Sequence, residues 1–434
     1  MKLYSTKRSV PEVDLKEAVF KGLPDDNGLY MPESIPTLPA SFYENIDKLS
    51  FQEMAFEVSK ALIGQDVPDA DLKAIIDDVL NFDAPVVKVE DNIHVLELFH
   101  GPSLAFKDFG ARFMSRLMAY FLRKENKRIT ILVATSGDTG SAVAQGFLNT
   151  PGIDVVILYP SGKVSDLQEK QLTTLGNNIV ALEIDGVFDD CQRMVKEAFL
   201  DKELTSKMNL SSANSINISR LIPQSFYYFY AYAQTKKLGK PVVFSVPSGN
   251  FGNICGGLIA KRMGLPIAKF VASTNANDVI PKYLNTGLFE PRPSVATISN
   301  AMDVGNPSNY QRMVELYGND LNALKKDVVG KAYDDKTTAA ALKDVYTRTG
   351  YVMDPHGAVG YLGLKEYLKE SGSDATGIFL ATAHPAKFIE VVNEVIEKEV
   401  EIPQRLLEVA KKEKVSIPMK ADFALLKKYL LERK

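Results

Sequence analysis

Cysteine is nearly absent: Cys191 and Cys255, far apart, are the only two in 434 residues. They cannot build a disulfide framework and fit a reducing compartment; each reads most simply as a small buried side chain. Histidine is scarce too, and His94, His100, His356 and His384 show none of the spacings of a zinc site. No block of basic residues stands out and the formal net charge is -3, which argues against nucleic acid as the main partner. No apolar run reaches membrane-spanning length, and residues 1–8 lack the apolar stretch of a secretory signal. A cytoplasmic protein with no membrane partner is the expectation. Internal repeats and low-complexity tracts are missing as well. No strand ends in a full Gly-x-Gly-x-x-Gly run, which makes a nucleotide-binding dehydrogenase a distant reading.

What is present is the balance of a soluble globular protein, with 45% apolar and 24% charged residues, in a chain long enough for two domains or more. Up to about residue 90, turn signals such as Pro24-Asp25-Asp26-Asn27-Gly28 separate short helical stretches near 51–63 and 70–80. That part reads as a separate, mainly helical piece. From about residue 93 the pattern becomes strand, small-residue loop, helix. Apolar runs at 129–134, 155–159, 179–184, 242–246, 267–272 and 377–382 suit strands buried on both faces. Strands alternating with helices predict a doubly wound, mostly parallel sheet, whose ligands bind beyond the carboxyl ends of the strands.

Lys107 is the first candidate among the chemical groups. It stands in His100-Gly101-Pro102-Ser103-Leu104-Ala105-Phe106-Lys107-Asp108-Phe109, where a strand-like run breaks at Gly-Pro and a helix begins. An amine walled by Phe106 and Phe109 is partly desolvated, which lowers its pKa and suits imine formation. A lysine snorkelling into water is the plainer alternative. The stripe Phe106, Phe109, Phe113, Leu117, Phe121 has the helical period and reads as core.

Two loops between a strand and a helix compete for an anion. Ser136-Gly137-Asp138-Thr139-Gly140 carries a carboxylate that would repel a phosphate by roughly a few kcal/mol at reduced dielectric. Ser248-Gly249-Asn250-Phe251-Gly252-Asn253 is uncharged with two glycines, and is assigned a tightly held phosphate; ordinary turns are the alternative for both. The run Asn214-Ser215-Ile216-Asn217-Ile218-Ser219-Arg220 gathers hydroxyls, amides and a guanidinium, suited to a phosphate or carboxylate or to capping the helix after it. Thr382 presents a hydroxyl at a strand end. His384 reads as a catalytic acid or, preferably, a cap.

Found in this order, 100–109, 135–141, 212–220, 246–253, 300–304 and 382–388 resemble threonine synthase, a pyridoxal-phosphate (PLP) enzyme family of fold type II. The resemblance spans essentially the whole chain. It implies two α/β lobes with doubly wound, mostly parallel sheets behind a mainly helical N-terminal domain. The boundaries expected are 1–90 for that domain and 91–434 for the PLP-binding region, with the smaller lobe, about 120–220, inserted in the larger.

The resemblance also implies roles. Lys107 is the catalytic lysine that holds PLP covalently. Gly249, Asn250, Phe251, Gly252 and Asn253 bind the cofactor phosphate, Thr382 meets the ring nitrogen, and Asp138 stands near the ring hydroxyl. Ser136, Gly137 and Thr139 face the substrate carboxylate, while Ser215 and Arg220, with Thr139 nearby, take the substrate phosphate. Many fold type II relatives carry Asn in place of Asp138, and a carboxylate cannot donate to the ring oxygen unless protonated. The implied reaction is O-phospho-L-homoserine plus water giving L-threonine and phosphate, the last step of threonine biosynthesis, in a monomer. The same residues would serve a PLP-dependent phospho-lyase or dehydratase releasing 2-oxobutanoate.

Overall fold

The computed structural model describes every residue except 124, 126, 136 and 434. Near the N-terminus, helices Leu15–Lys21, Ala40–Asn45, Phe51–Ile63 and Asp69–Val79 predominate. They accompany a small antiparallel sheet of β1 (Lys2–Ser5), β2 (Val13–Asp14) and β3 (Tyr30–Pro32), in the order β2-β1-β3. These strands have four, two and three residues, too short for alternation to announce them. Helix Phe51–Ile63 begins on a capping box, Ser50 with Glu53, which satisfies two otherwise orphaned N–H groups.

The remaining strands form two parallel-dominated sheets. In chain order they are β4 (Val86–Glu90), β5 (Ile93–Glu97), β6 (Ile129–Ala134), β7 (Ile153–Pro160), β8 (Ile179–Asp185), β9 (Leu210–Ser212), β10 (Val242–Pro247), β11 (Ile267–Thr274), β12 (Val328–Ala332), β13 (Thr376–Ala381) and β14 (Ile417–Lys420). The larger sheet runs β12-β11-β10-β13-β5-β4, parallel except for the β4–β5 hairpin. The smaller runs β14-β8-β7-β6-β9, parallel throughout. Its edge strand β14 comes from Ile417–Lys420, so the smaller lobe is not confined to the 120–220 stretch expected from the sequence.

The central strands β6, β10 and β13 are buried at every residue, as near-continuous apolar runs require. Helix Lys107–Leu122 leads from the larger sheet to the smaller and is itself mostly buried. Phe109, Phe113 and Leu117 have no exposure, so the aromatic stripe is core. Phe109 also packs against Phe51 and Phe82, with ring centroids at 6.0 and 5.1 Å, which joins the N-terminal helices to the same core. Among the described residues, no helix is long and apolar enough to cross a membrane. Cys191 and Cys255 are both buried and unpaired.

Candidate active site

Five chain segments meet at the carboxyl ends of the strands, the place where doubly wound sheets hold ligands. After β5 the chain returns along the end of β13: Leu98 N–H donates to Ala381 O at 3.0 Å and Phe106 N–H to Thr382 O at 2.9 Å. An isolated bridge pairs Ala105 with Ala383. Lys107, the next residue after Phe106, is thereby fixed beside Thr382. Strand β10 lies next to β13, so the 248–253 loop opens at the same edge. From the smaller sheet, β6 delivers Asp138 and β9 delivers the run to Arg220.

Lys107 is half-buried and makes no hydrogen bond or ion pair among the described residues. Burial pulls its amine down to about 8; Asp138 acts the other way, while Lys387 and Arg220 push it lower. Asp138 is 7% exposed and accepts from Gln168 Nε2 at 3.0 Å and Lys387 Nζ at 2.6 Å, both at Oδ1. Burial alone would raise the Asp138 carboxyl, but Lys387 and Lys107 hold it well below the usual carboxylate range. Arg220 is buried, donates to Ala213 O, and has no carboxylate partner among the described residues. Burial brings it down to about 10, so it remains a cation at neutral pH.

The glycine loop is braced from within. Asn253 accepts from Ser248 Oγ at 2.7 Å and donates to Pro247 O at 2.8 Å. Asn250 is exposed and its Oδ1 faces Ser308. Phe251 is buried in the left-handed region at φ 61° and leads into helix Gly252–Arg262. The Asn253 side chain is used within the loop, so the N–H groups of this helix start and the exposed Asn250 side chain are left to meet a ligand. Ser215 reaches this loop: a Cβ on Gly252 would fall 3.4 Å from Ser215 Cβ.

Gly137 and Gly140 N–H both donate to Thr135 Oγ1, at 3.0 and 2.9 Å, which shapes the loop that presents Asp138 and the half-buried Thr139. Ser136 lies outside the described residues. Thr382 is 7% exposed, and its hydroxyl has no hydrogen bond among the described residues. Two alternatives from the sequence are realised as caps: Asn217 accepts from Ser219 N–H, and His384 Nδ1 from Ala386 N–H at 3.1 Å.

Three contributors were not assigned roles from the sequence. Lys387 and Gln168 bind Asp138 from distant segments, and only the fold reveals that proximity. His356 donates through Nδ1 to Asp354 at 2.5 Å and accepts through Nε2 from Ala301 N–H at 3.2 Å. It thereby holds the 300–304 turn against Gly249, where a Cβ would fall 2.8 Å from Met302 Cα.

An uncompensated guanidinium, a depressed lysine and an uncharged helix start together make a site for a phosphate-bearing carbonyl compound. Comparison with known proteins agrees. Residues 83–382 match the pyridoxal-phosphate dependent enzyme family, 2–80 the threonine synthase N terminus and 357–430 the threonine synthase C-terminal region. Threonine synthase of Haemophilus influenzae is 49% identical over 436 residues, covering 100% of both chains. The crystal structure of threonine synthase from Escherichia coli superposes with a TM-score of 0.92 at 43% identity, over 100% of both chains. That of PLP-bound threonine synthase from Brucella melitensis gives 0.93 at 35% identity, over 99% of this chain and 98% of that one. With fold, site and all three matched regions in agreement, the chain belongs to the threonine synthase family, PLP-dependent lyases of fold type II.

Proposed function

We propose that the substrate is O-phospho-L-homoserine, that phosphate leaves Cγ and water adds at Cβ to give L-threonine, and that Lys107 carries the proton transfers. The observation that carries this reading is the half-buried, unpartnered Lys107 amine beside one ionised carboxylate and two further buried cations. An excess of positive charge in a desolvated site suits a substrate that brings a carboxylate and a phosphate.

The residues fit the cofactor on their own chemistry: a nucleophilic amine, an uncharged glycine loop at the start of an eleven-residue helix, and the Thr382 hydroxyl. Lys107 would hold the aldehyde carbon, the backbone of 249–253 the phosphate, Thr382 the ring nitrogen and Asp138 the side of the ring hydroxyl. When bound, PLP supplies an aldehyde that condenses with amines and an electron sink for a deprotonated carbon.

Everything else falls to the chain. With its amine free, Lys107 would take the Cα proton and then a Cβ proton. An amine near 8 is neutral often enough at pH 7 to serve as base and is still strong enough to accept the proton. Arg220, with Ser215 and Thr139, would stabilise the departing phosphate dianion. The loop of Ser136, Gly137 and Thr139 would face the substrate carboxylate. We further propose a monomer in the cytoplasm; light scattering of the purified chain checks the first.

The test is incubation of the purified protein with PLP and O-phosphohomoserine, followed by assay of threonine, phosphate and 2-oxobutanoate. Threonine and phosphate are expected in equal amounts. Lys107→Ala should lower the rate by ~10⁴-fold while leaving the fold intact. Release of 2-oxobutanoate in place of threonine, or an active Lys107→Ala enzyme, would sink the reading.

A further inference from the structure

Asp138 is gripped from behind. Lys387 Nζ lies 2.6 Å from its Oδ1, and the Lys387 side chain has no solvent exposure. The same ammonium donates to Ser103 O at 2.9 Å, in the segment that leads into Lys107. Gln168 Nε2 donates to the same Asp138 oxygen at 3.0 Å. A lysine without exposure is rare, and a buried ion pair is weak support for stability, because an apolar pair of similar volume does as well or better. Packing therefore does not explain why the core of an active site should contain this pair.

The titratable groups around it come from every neighbouring element. Asp138 heads helix Asp138–Phe147, Arg220 lies in helix Ile218–Leu221, and Lys387 in the turn Pro385–Phe388. His356, in helix Pro355–Ser371, faces Asp138; Asp108, on the helix of Lys107, acts on Arg220 and Lys387. Lys107 itself feels Asp138 as an attraction for its proton, and Lys387 and Arg220 as repulsions. Among the described residues, Asp138 is thus the one group around Lys107 that favours an ammonium there, and Lys387 is the group that claims Asp138.

We infer that Lys387 is a positioning residue for the Lys107 chemistry: it takes the Asp138 carboxylate from the core side, so that Asp138 stays ionised without locking Lys107 as its ammonium partner. The arrangement answers the difficulty of a carboxylate where many relatives carry an amide. An amide needs no counter-charge, whereas this carboxylate does, and Lys387 provides it without drawing on the reactive amine. The inference rests on Lys107 being the amine that holds the cofactor.

Spectrophotometric pH titration of the cofactor bound in the full-length holoenzyme reads the proton on the Lys107 nitrogen directly. Borohydride reduction and peptide mapping of the wild type come first. A label on another lysine would overturn the assignment of Lys107, a failure distinct from any below. With the label at 107, Lys387→Met should raise the titration midpoint by about 1–2 pH units and Asp138→Asn should lower it by a similar amount. Lys387→Arg should stay near wild type, and kcat of Lys387→Met should fall far more than KM changes. A Lys387→Met midpoint equal to wild type would overturn the inference, leaving Lys387 a packing residue. Should Lys387→Met fail to fold, Lys387→Gln takes its place, which can still donate to Asp138 but carries no charge. Its midpoint must lie above wild type, and an equal midpoint would overturn the inference.

Discussion

Asp108 directly follows Lys107 and is buried, with Oδ2 accepting from Ser103 N–H at 2.8 Å and Oδ1 unpartnered. Burial raises its carboxyl to about 6, against the pull of Ser103, Lys387 and Arg112. A raised carboxyl favours the folded state while protonated, so this contribution is full below about pH 4 and lost as pH rises through about 6. Asp108→Asn keeps the oxygen for Ser103 and cannot ionise. The variant should therefore gain on the wild type by up to about 3 kcal/mol between pH 4 and pH 7. Paired urea unfolding at the two pH values checks it, and a difference that does not change with pH would show that the carboxyl is not desolvated. The desolvation of Lys107 was legible at this scale because its aromatic neighbours and the Gly-Pro break are local. The state of Asp138 was not: the sequence shows a carboxylate that would repel phosphate, but its counter-charge, Lys387, is remote in the chain and meets it only through folding.

The glycine loop works as an element whose shape is set by what leans on it. His356 fixes Ala301, and the 300–304 turn leaves no room for a side chain at Gly249, where a Cβ would come within 2.8 Å of Met302 Cα. That atom is backbone and cannot swing aside. Gly249→Ala should push loop and turn apart, move the N–H groups out of register with the phosphate, and weaken cofactor retention by about 10-fold or more. Two lost charge-assisted hydrogen bonds suffice for such a loss. Equilibrium dialysis of the cofactor, with circular dichroism to confirm an unchanged fold, measures it; retention equal to wild type would count against the proposal that this loop holds the phosphate. The long buried strands and this loop were readable because continuous apolar runs and paired glycines are strong local signals. Strands β9, β12 and β14 were not. β9 is three residues long, β12 carries a glycine, and β14 is mostly exposed with a proline at an edge, where a missing N–H costs no ladder bond.

For the whole molecule, the question is what the N-terminal unit does for the site, and Arg312 supplies a physical link. Its side chain has no exposure and no carboxylate partner among the described residues, and burial brings it down to about 10, so it remains charged. Its N–H groups go to Tyr30 O on β3 (3.0 and 3.2 Å), Ser215 O (3.2 Å), Ile216 O (2.6 Å) and Asn309 Oδ1 (2.9 Å). Asn309 in turn donates its backbone N–H to Asn250 O at 3.3 Å and its side-chain N–H to Ser215 Oγ at 3.4 Å. One guanidinium thus ties the N-terminal sheet to both the glycine loop and the Ser215 segment. Arg312→Met fills much of the volume but leaves those acceptors buried without donors, a loss of roughly 3–5 kcal/mol. The thermal midpoint should fall by roughly 3–5 °C. Nicking by protease at the partly exposed 81–85 connection should quicken, and bound cofactor should dissociate faster, because the N-terminal unit and the loop lose the same clamp. A variant that is destabilised yet holds cofactor as firmly as wild type would show that the two regions are fastened separately. A joint loss would mean that the N-terminal unit helps to hold the glycine loop in its working shape.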